Sequence, residues 1–218
     1  MNRWRVRETF GDAATFHARG AEPARSATFV AVSTRTLVLG SAQPDTDVDR
    51  RVADALAINV VRRRSGGGAV LLMPGEFIWL DLVVPAGDVL WVDDIGRSML
   101  WVGELWQRAL AAVGVTAEVS TTVADSATPS WARRICFTGV GNGEVLLAGR
   151  KLVGVSQRRT RSAARFQSLC HLRWRPEVVV ALMAAPRPVA AELAPMVACV
   201  PVPAAEICAA LQAQLENF

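Results

Sequence analysis

The chain has no tyrosine and one lysine, Lys151, although it carries 24 basic residues, so every other one is arginine. It has only two histidines and four cysteines, Cys136, Cys170, Cys199 and Cys208, none spaced as C-x-x-C. That scarcity argues against a zinc site and predicts reduced, partly buried thiols. Long apolar runs are missing as well. The most apolar region, residues 69–92, is interrupted by Pro74, Glu76, Asp81, Pro85 and Asp88, and a spanning helix needs about 20 apolar residues in succession. The first ten residues, MNRWRVRETF, hold neither an apolar core nor a small-residue cleavage site, which predicts no signal peptide, a soluble chain and a cytoplasmic location. No zinc-finger, homeodomain or RNP pattern occurs, so neither nucleic acid nor membrane is an expected partner.

What remains is an apolar, arginine-rich protein. Of 218 residues 51% are hydrophobic, enough for one sizeable core. The net charge is +4, with arginines at 62–64, at 133–134, and at 158, 159, 161 and 165. Such clusters suit an anionic partner. The excess of Ala, Arg and Val over Lys and Tyr has the character of GC-rich coding. Under that pressure a dispensable lysine drifts to arginine, so the retention of Lys151 asks for a reason.

Periodicity gives a coarse map. Residues 26–33 and 36–40 read as strands, 45–58 as a helix capped by Asp45, and the run NVVRR followed by RSGGGAV and AVLLM as strand, loop and strand. FIWLDLVVP (77–85) has the β-branched and aromatic character of a buried strand. Ile95, Met99, Val102, Trp106, Ala109 and Val113 recur at helical spacing within 92–113. EVLLA (144–148) and KLVGVS (151–156) flank Gly149-Arg150, which predicts a hairpin with a type II′ turn, and 165–174 reads as a further strand. Helical stretches follow near 177–185 and 204–217. The expected fold class is α+β, a mixed, mostly antiparallel sheet flanked by helices. The expected division is a catalytic domain over 1–176 and a short helical C-terminal extension over 177–218.

Two stretches carry chemistry. In RRRSGGGAV (62–70) three glycines let the backbone pass close to a ligand, beside guanidinium forks suited to phosphate. The stretch is neither a P-loop nor a dinucleotide fingerprint, and by itself it fits a plain turn equally well. The second stretch is GRKLVGVSQRRTR (149–161), which contains Lys151. Together, and in this order, they resemble the two signatures of the lipoate–protein ligase A family, within the wider biotin and lipoate ligase group. TLVLG followed by SAQ (41–43) resembles the segment before the first signature. The resemblance covers residues 26–176.

The resemblance implies a class II synthetase-like catalytic domain that uses ATP and Mg²⁺ to activate lipoate or octanoate as an acyl-adenylate. The acyl group then passes to a lysine of a lipoyl domain or of a glycine-cleavage H-type protein. It implies that Lys151 contacts the reacting carboxyl and α-phosphate oxygens and that Gly66, Gly67, Gly68 and Ala69 wrap the acyl chain and adenylate. Arg63 or Arg64 would face phosphate, Ser65 would brace the loop, and Gly154, Ser156 and Gln157 would complete the substrate and ATP site. No metal-ligating residue is implied. The basic face 158–165 suits an acidic carrier domain. Departures are visible: Gln167, Ser168 and Leu169 stand where the family often has His-Gly, and Asn142 and Glu144 stand in place of an Asn-Asp pair. Many full-length ligases carry an accessory domain, in some relatives on a separate chain. A sister group, ligase-like octanoyltransferases, takes octanoyl from acyl carrier protein through a cysteine thioester without ATP, and Cys136 in ICFTG is the matching nucleophile beside Arg133 and Arg134. A binder that has kept the pocket without turnover is a third class, against which Lys151 speaks.

Overall fold

The computed structural model describes residues 3–121 and 131–218. In chain order the elements are β1 (Arg5–Gly11), α1 (Ala13–Ala18), β2 (Ser26–Val32), β3 (Thr36–Leu39), α2 (Arg50–Ala55), β4 (Asn59–Arg62), β5 (Val70–Leu72), β6 (Phe77–Pro85), α3 (Leu100–Ala112), β7 (Glu118–Val119), β8 (Val145–Leu147), β9 (Arg150–Arg159), β10 (Ala163–His171), α4 (Pro176–Leu182), α5 (Ala190–Leu193) and α6 (Ala204–Leu215). Seven strands form one sheet in the order β1-β2-β6-β10-β9-β8-β7, and β4-β3-β5 form a second. Among the described strands only β1–β2 and β3–β4 pair in parallel. The α+β expectation holds, with a mostly antiparallel sheet flanked by helices. Among the described residues no helix is long and apolar enough to cross a membrane.

β6 lies centrally, between β2 and β10, and is buried from Phe77 to Val84. That is why it reads as a continuous apolar run rather than an alternation. On one face of the large sheet α3 and α6 cover Leu80, Leu82, Leu152 and Phe166 with Leu105, Trp106, Ile207, Leu211 and Leu215. Ala198, Val200 and α6 therefore share the main core. Trp106 is fully buried, and its Nε1 donates to Ser168 Oγ at 2.8 Å. A second core fills the small sheet and α4 with Leu37, Leu39, Ala53, Val179 and Leu182. A third joins the two sheets through Phe16, Val30, Val38, Leu72, Trp79, Phe137 and Leu169. The cavity described below opens there.

Three local expectations shift. The helix expected over 45–58 is confined to Arg50–Ala55, preceded by a 3₁₀ turn at Asp45–Asp47. Its cap is Asp49, whose carboxylate accepts from Arg51 N and Val52 N, and not Asp45. Asp45 is drawn instead to the guanidinium of Arg62, 2.7 Å away. The helix expected from Val92 begins only at Leu100. Asp94 accepts from Arg97 N at 2.8 Å, which makes a tight turn there and leaves Ile95 exposed. The β8–β9 turn is centred on Ala148 and Gly149, with φ of 50° and 72°, and Leu147 pairs with Arg150. Two successive positive φ values define a type I′ turn, not type II′. Lys151 is consequently the second residue of β9.

Trp106→Ala is expected to cost about 3–5 kcal/mol in urea unfolding, the range for emptying a packed tryptophan site. Trp106→Phe should cost less, because Ser168 Oγ keeps Leu80 O as its own acceptor at 3.0 Å.

Candidate active site

The glycine loop is built around a buried arginine. β4 delivers Arg63, 4% exposed, into the turn it precedes. Its guanidinium donates to Gly66 O (2.6 Å from Nη2), Gly68 O (2.9 Å) and Val38 O (3.2 Å). The fork is thus occupied by loop carbonyls. Arg64, next along the chain, is exposed. Burial lowers the Arg63 pKa below the ordinary arginine value, and the carbonyl dipoles offset that cost.

The glycines are needed for approach. Gly67 has a φ of 96°. A Cβ on Gly40 would fall 1.8 Å from Gly67 O, and one on Gly68 would fall 2.6 Å from the backbone of Arg134 and Ile135. Ala69 continues the contact: its N donates to Arg134 O at 2.7 Å, and its O accepts from Cys136 N at 2.8 Å. Ser41 N donates to Ser65 O at 2.9 Å, and Gln43 Nε2 donates to Arg134 O at 3.0 Å, so the SAQ segment braces the same loop. Ser65 Oγ lies 3.0 Å from Ser156 Oγ and 3.4 Å from Gln167 Oε1. Two motifs 91 residues apart in sequence meet at that pair.

Lys151 is 3% exposed. Its Nζ lies 2.6 Å from Glu144 Oε1 and donates to Cys136 O (2.8 Å) and Gly139 O (3.0 Å). The three N–H groups of the ammonium are thereby matched, and the Phe137 ring lies over it, 5.1 Å from Nζ to centroid. Glu144 is held in turn by Gly141 N, which donates to Oε2 at 2.8 Å. Gly154 permits this packing, since a Cβ there would sit 3.1 Å from Phe137 Cζ and 3.3 Å from Lys151 Cε. Behind the strand, Ala198 N donates to Lys151 O at 2.9 Å, and Val200 N donates to His171 O at 3.4 Å.

A cavity of about 420 Å³, its open mouth included, lies between the two sheets. Val70, Leu72, Trp79, Phe137, Val155 and Leu169 make it apolar. Cys136, Gly154, Ser156, Gln167 and Arg63 complete the wall together with His17. Lys151 stands directly behind the part of this wall made by Cys136, Phe137 and Gly154. Cys136, Arg63 of the first motif, and Gly154 and Ser156 of the second thus line one apolar chamber, whereas Ser65, Gly66, Gly67, Gly68 and Ala69 lie outside its lining. Gln157 is not part of this lining: its Oε1 accepts from Ser98 Oγ at 2.9 Å, and its Nε2 is buried without a protein partner.

Sequence reasoning passed over several residues here. His17 comes from the six-residue α1, and its ring stacks on Trp79 at 4.8 Å. Burial, then the charges of Arg63 and Arg165, lower its pKa to about 3. His171, against Phe137 at 4.4 Å, is also lowered to about 3, by burial and then by Lys151. Arg165 is not free for docking: it forks onto Asp81 at 2.6–2.9 Å inside the structure. No local pattern marks His17 and His171, which only the folded chain brings beside Trp79 and Phe137, while Arg165, expected in the basic docking face 158–165, is taken out of it by Asp81. Among the described residues no group of three or more His, Cys, Asp or Glu side chains could hold a metal ion. Glu144 offers no free oxygen to a magnesium ion, since Oε1 is paired with Lys151 and Oε2 accepts from Gly141 N.

The fold is shared with proteins of known structure. Similar folds include lipoate-protein ligase A bound with ATP, at 19% identity and a TM-score of 0.73, covering 99% of this chain and 84% of that one. The bipartite lipoate protein ligase from Thermoplasma acidophilum, solved in a study with its E2 lipoyl domain, has 18% identity and a TM-score of 0.74, with 98% and 82% covered. P. falciparum LipL1 in complex with lipoate has 9% identity and a TM-score of 0.69, with 99% and 62% covered. No curated protein sequence matches the chain significantly. The family model of the lipoyl protein ligase A/B catalytic domain matches residues 11–212, and the chain belongs to that family.

Proposed function

We propose that the protein activates lipoate or octanoate with ATP as an acyl-adenylate and transfers the acyl group to a lysine of a lipoyl-type carrier domain. The observation that carries this reading is the placement of the one lysine: a buried ammonium held by Glu144 and two carbonyls, immediately behind the wall of an apolar cavity. In the first step a carboxylate oxygen attacks the α-phosphorus and pyrophosphate leaves. In the second an acceptor amine attacks the acyl carbon and AMP leaves. Both steps place negative charge on oxygens, which a fixed positive charge stabilises. A compact ammonium can exchange the Cys136 or Gly139 carbonyl for such an oxygen, whereas a planar guanidinium needs more room. Arg64, exposed beside the glycine loop, is free to meet phosphate in this scheme. The ligases of similar fold solved with ATP and studied with a lipoyl domain support the choice of nucleotide and acceptor. An H-type acceptor and a separate accessory subunit fit the same scheme.

Cys136 favours a second reading. It lies on the cavity wall itself and is partly exposed. There it is placed for a thioester formed from octanoyl-acyl carrier protein, with the carrier thiol leaving and no ATP consumed.

Intact mass of an apo lipoyl domain separates the two. The proposal expects acylation with Mg-ATP and free acid; acylation only with octanoyl-acyl carrier protein, and its loss in Cys136→Ser, would replace it with the thioester route. Lys151→Arg keeps the charge and is expected to slow transfer by about 10²–10³-fold. Near-normal transfer by that variant would remove Lys151 from the chemistry.

A further inference from the structure

The polar side chains on the cavity wall are mostly committed to one another. Arg63 is held by loop carbonyls, Ser156 by Ser65, and Gln167 by Ser65, Asp81 and His17. Two neighbouring donors are not. His17 Nε2 and Trp79 Nε1 are both buried, and neither has a hydrogen-bond partner. Both side chains line the cavity, and their rings stack at 4.8 Å with 24° between planes. Buried N–H groups are rarely left unpaired, so two in contact on one cavity wall point to an acceptor supplied by what enters it.

The protonation state of His17 follows from its neighbours. Gln167 Nε2 lies 3.2 Å from Asp81 Oδ2, which identifies it as the amide nitrogen. The same group reaches His17 Nδ1 at 3.4 Å, so Nδ1 accepts and Nε2 carries the hydrogen. The stack on Trp79 limits the ring's freedom to turn.

Strand register sets where these donors stand relative to the reacting end. Trp79 pairs with Leu169, and Leu169 pairs with Gly154. Adjacent strands are about 4.8 Å apart, so Trp79 and Gly154 are separated by about 10 Å across one row. Gly154 abuts Lys151 and Phe137. This backbone distance is close to the length of an extended eight-carbon acid.

We propose that His17 and Trp79 form a two-donor contact at the far end of the acyl cavity, and that the site favours a medium-chain acid with an oxygen acceptor at that end over the plain hydrocarbon. The proposal rests on the acyl-cavity reading above. It runs against simple transfer energetics, because an apolar pocket without donors rejects a terminal hydroxyl.

Calorimetric titration of the full chain with octanoate and ω-hydroxyoctanoate, without ATP, tests it. The wild type is expected to bind ω-hydroxyoctanoate about three- to tenfold more tightly, the value of a net hydrogen bond. His17→Phe retains an aromatic ring for stacking on Trp79, and the ratio should fall toward one. Equal or tighter binding of octanoate by the wild type overturns the proposal, whether or not the variant folds. If octanoate is nevertheless transferred to the lipoyl domain, only this proposal falls. If neither acid binds and none is transferred, the acyl-cavity reading falls with it.

Discussion

A buried guanidinium organises the site. Removing the Arg63 charge from water costs several kcal/mol unless hydrogen bonds replace the lost solvation. The replacements are the carbonyls of Val38, Gly66 and Gly68, one from β3 and two from the loop that follows. Satisfying one cation therefore bends the loop back on the strand beside it. Gly67 O then rests on Gly40, and Gly68 rests on the Arg134–Ile135 backbone. From there Ala69 and Cys136 exchange a hydrogen bond, and the segment that carries Cys136 and Phe137 is fixed as a wall. Arginine suits this role because its planar fork can reach several carbonyls without losing its charge.

The same wall sets the position of the ammonium. Cys136 O and Gly139 O hold Lys151 from one side while Glu144 neutralises it. A lysine held this way has its charge compensated before any substrate arrives, and a competing oxygen needs only to displace a neutral carbonyl. Breaking the ion pair with Glu144 is the more expensive exchange, since it would leave a buried carboxylate uncompensated. The geometry thus separates a persistent partner from replaceable ones.

Much of this was legible in the sequence, for reasons that differ from element to element. β6 and the β8–β9 hairpin announced themselves because their burial follows from local composition and a two-residue connection. The two motifs and Lys151 were legible through family resemblance, and the match over residues 11–212 bears out the family. Glu144 was noticed as a departure, but its pairing with Lys151 depends on the β8–β9 register. His17 and Trp79 lie 62 positions apart and meet only because α1 packs across β6, so no window of sequence contains the pair. Arg63 drew attention as a cation near glycine, but its commitment to carbonyls depends on the path of the folded loop. The late start of α3 and the shift of the α2 cap came from single carboxylates, Asp94 and Asp49, choosing backbone N–H groups over the neighbouring alternatives.

The segment behind β9 gives this architecture an uneven tolerance to changes in chain length. Ala198 N and Val200 N are bonded to the carbonyls of Lys151 and His171, so one strap clamps two strands at fixed positions. The turn at Ala148–Gly149, by contrast, is exposed. Residues added at that turn extend a hairpin into water and leave the lysine where it is. One residue lost between Pro195 and Pro201 would move the clamp along both strands and displace the buried charge with them. Insertions and deletions thus have different consequences on the two sides of the same strand.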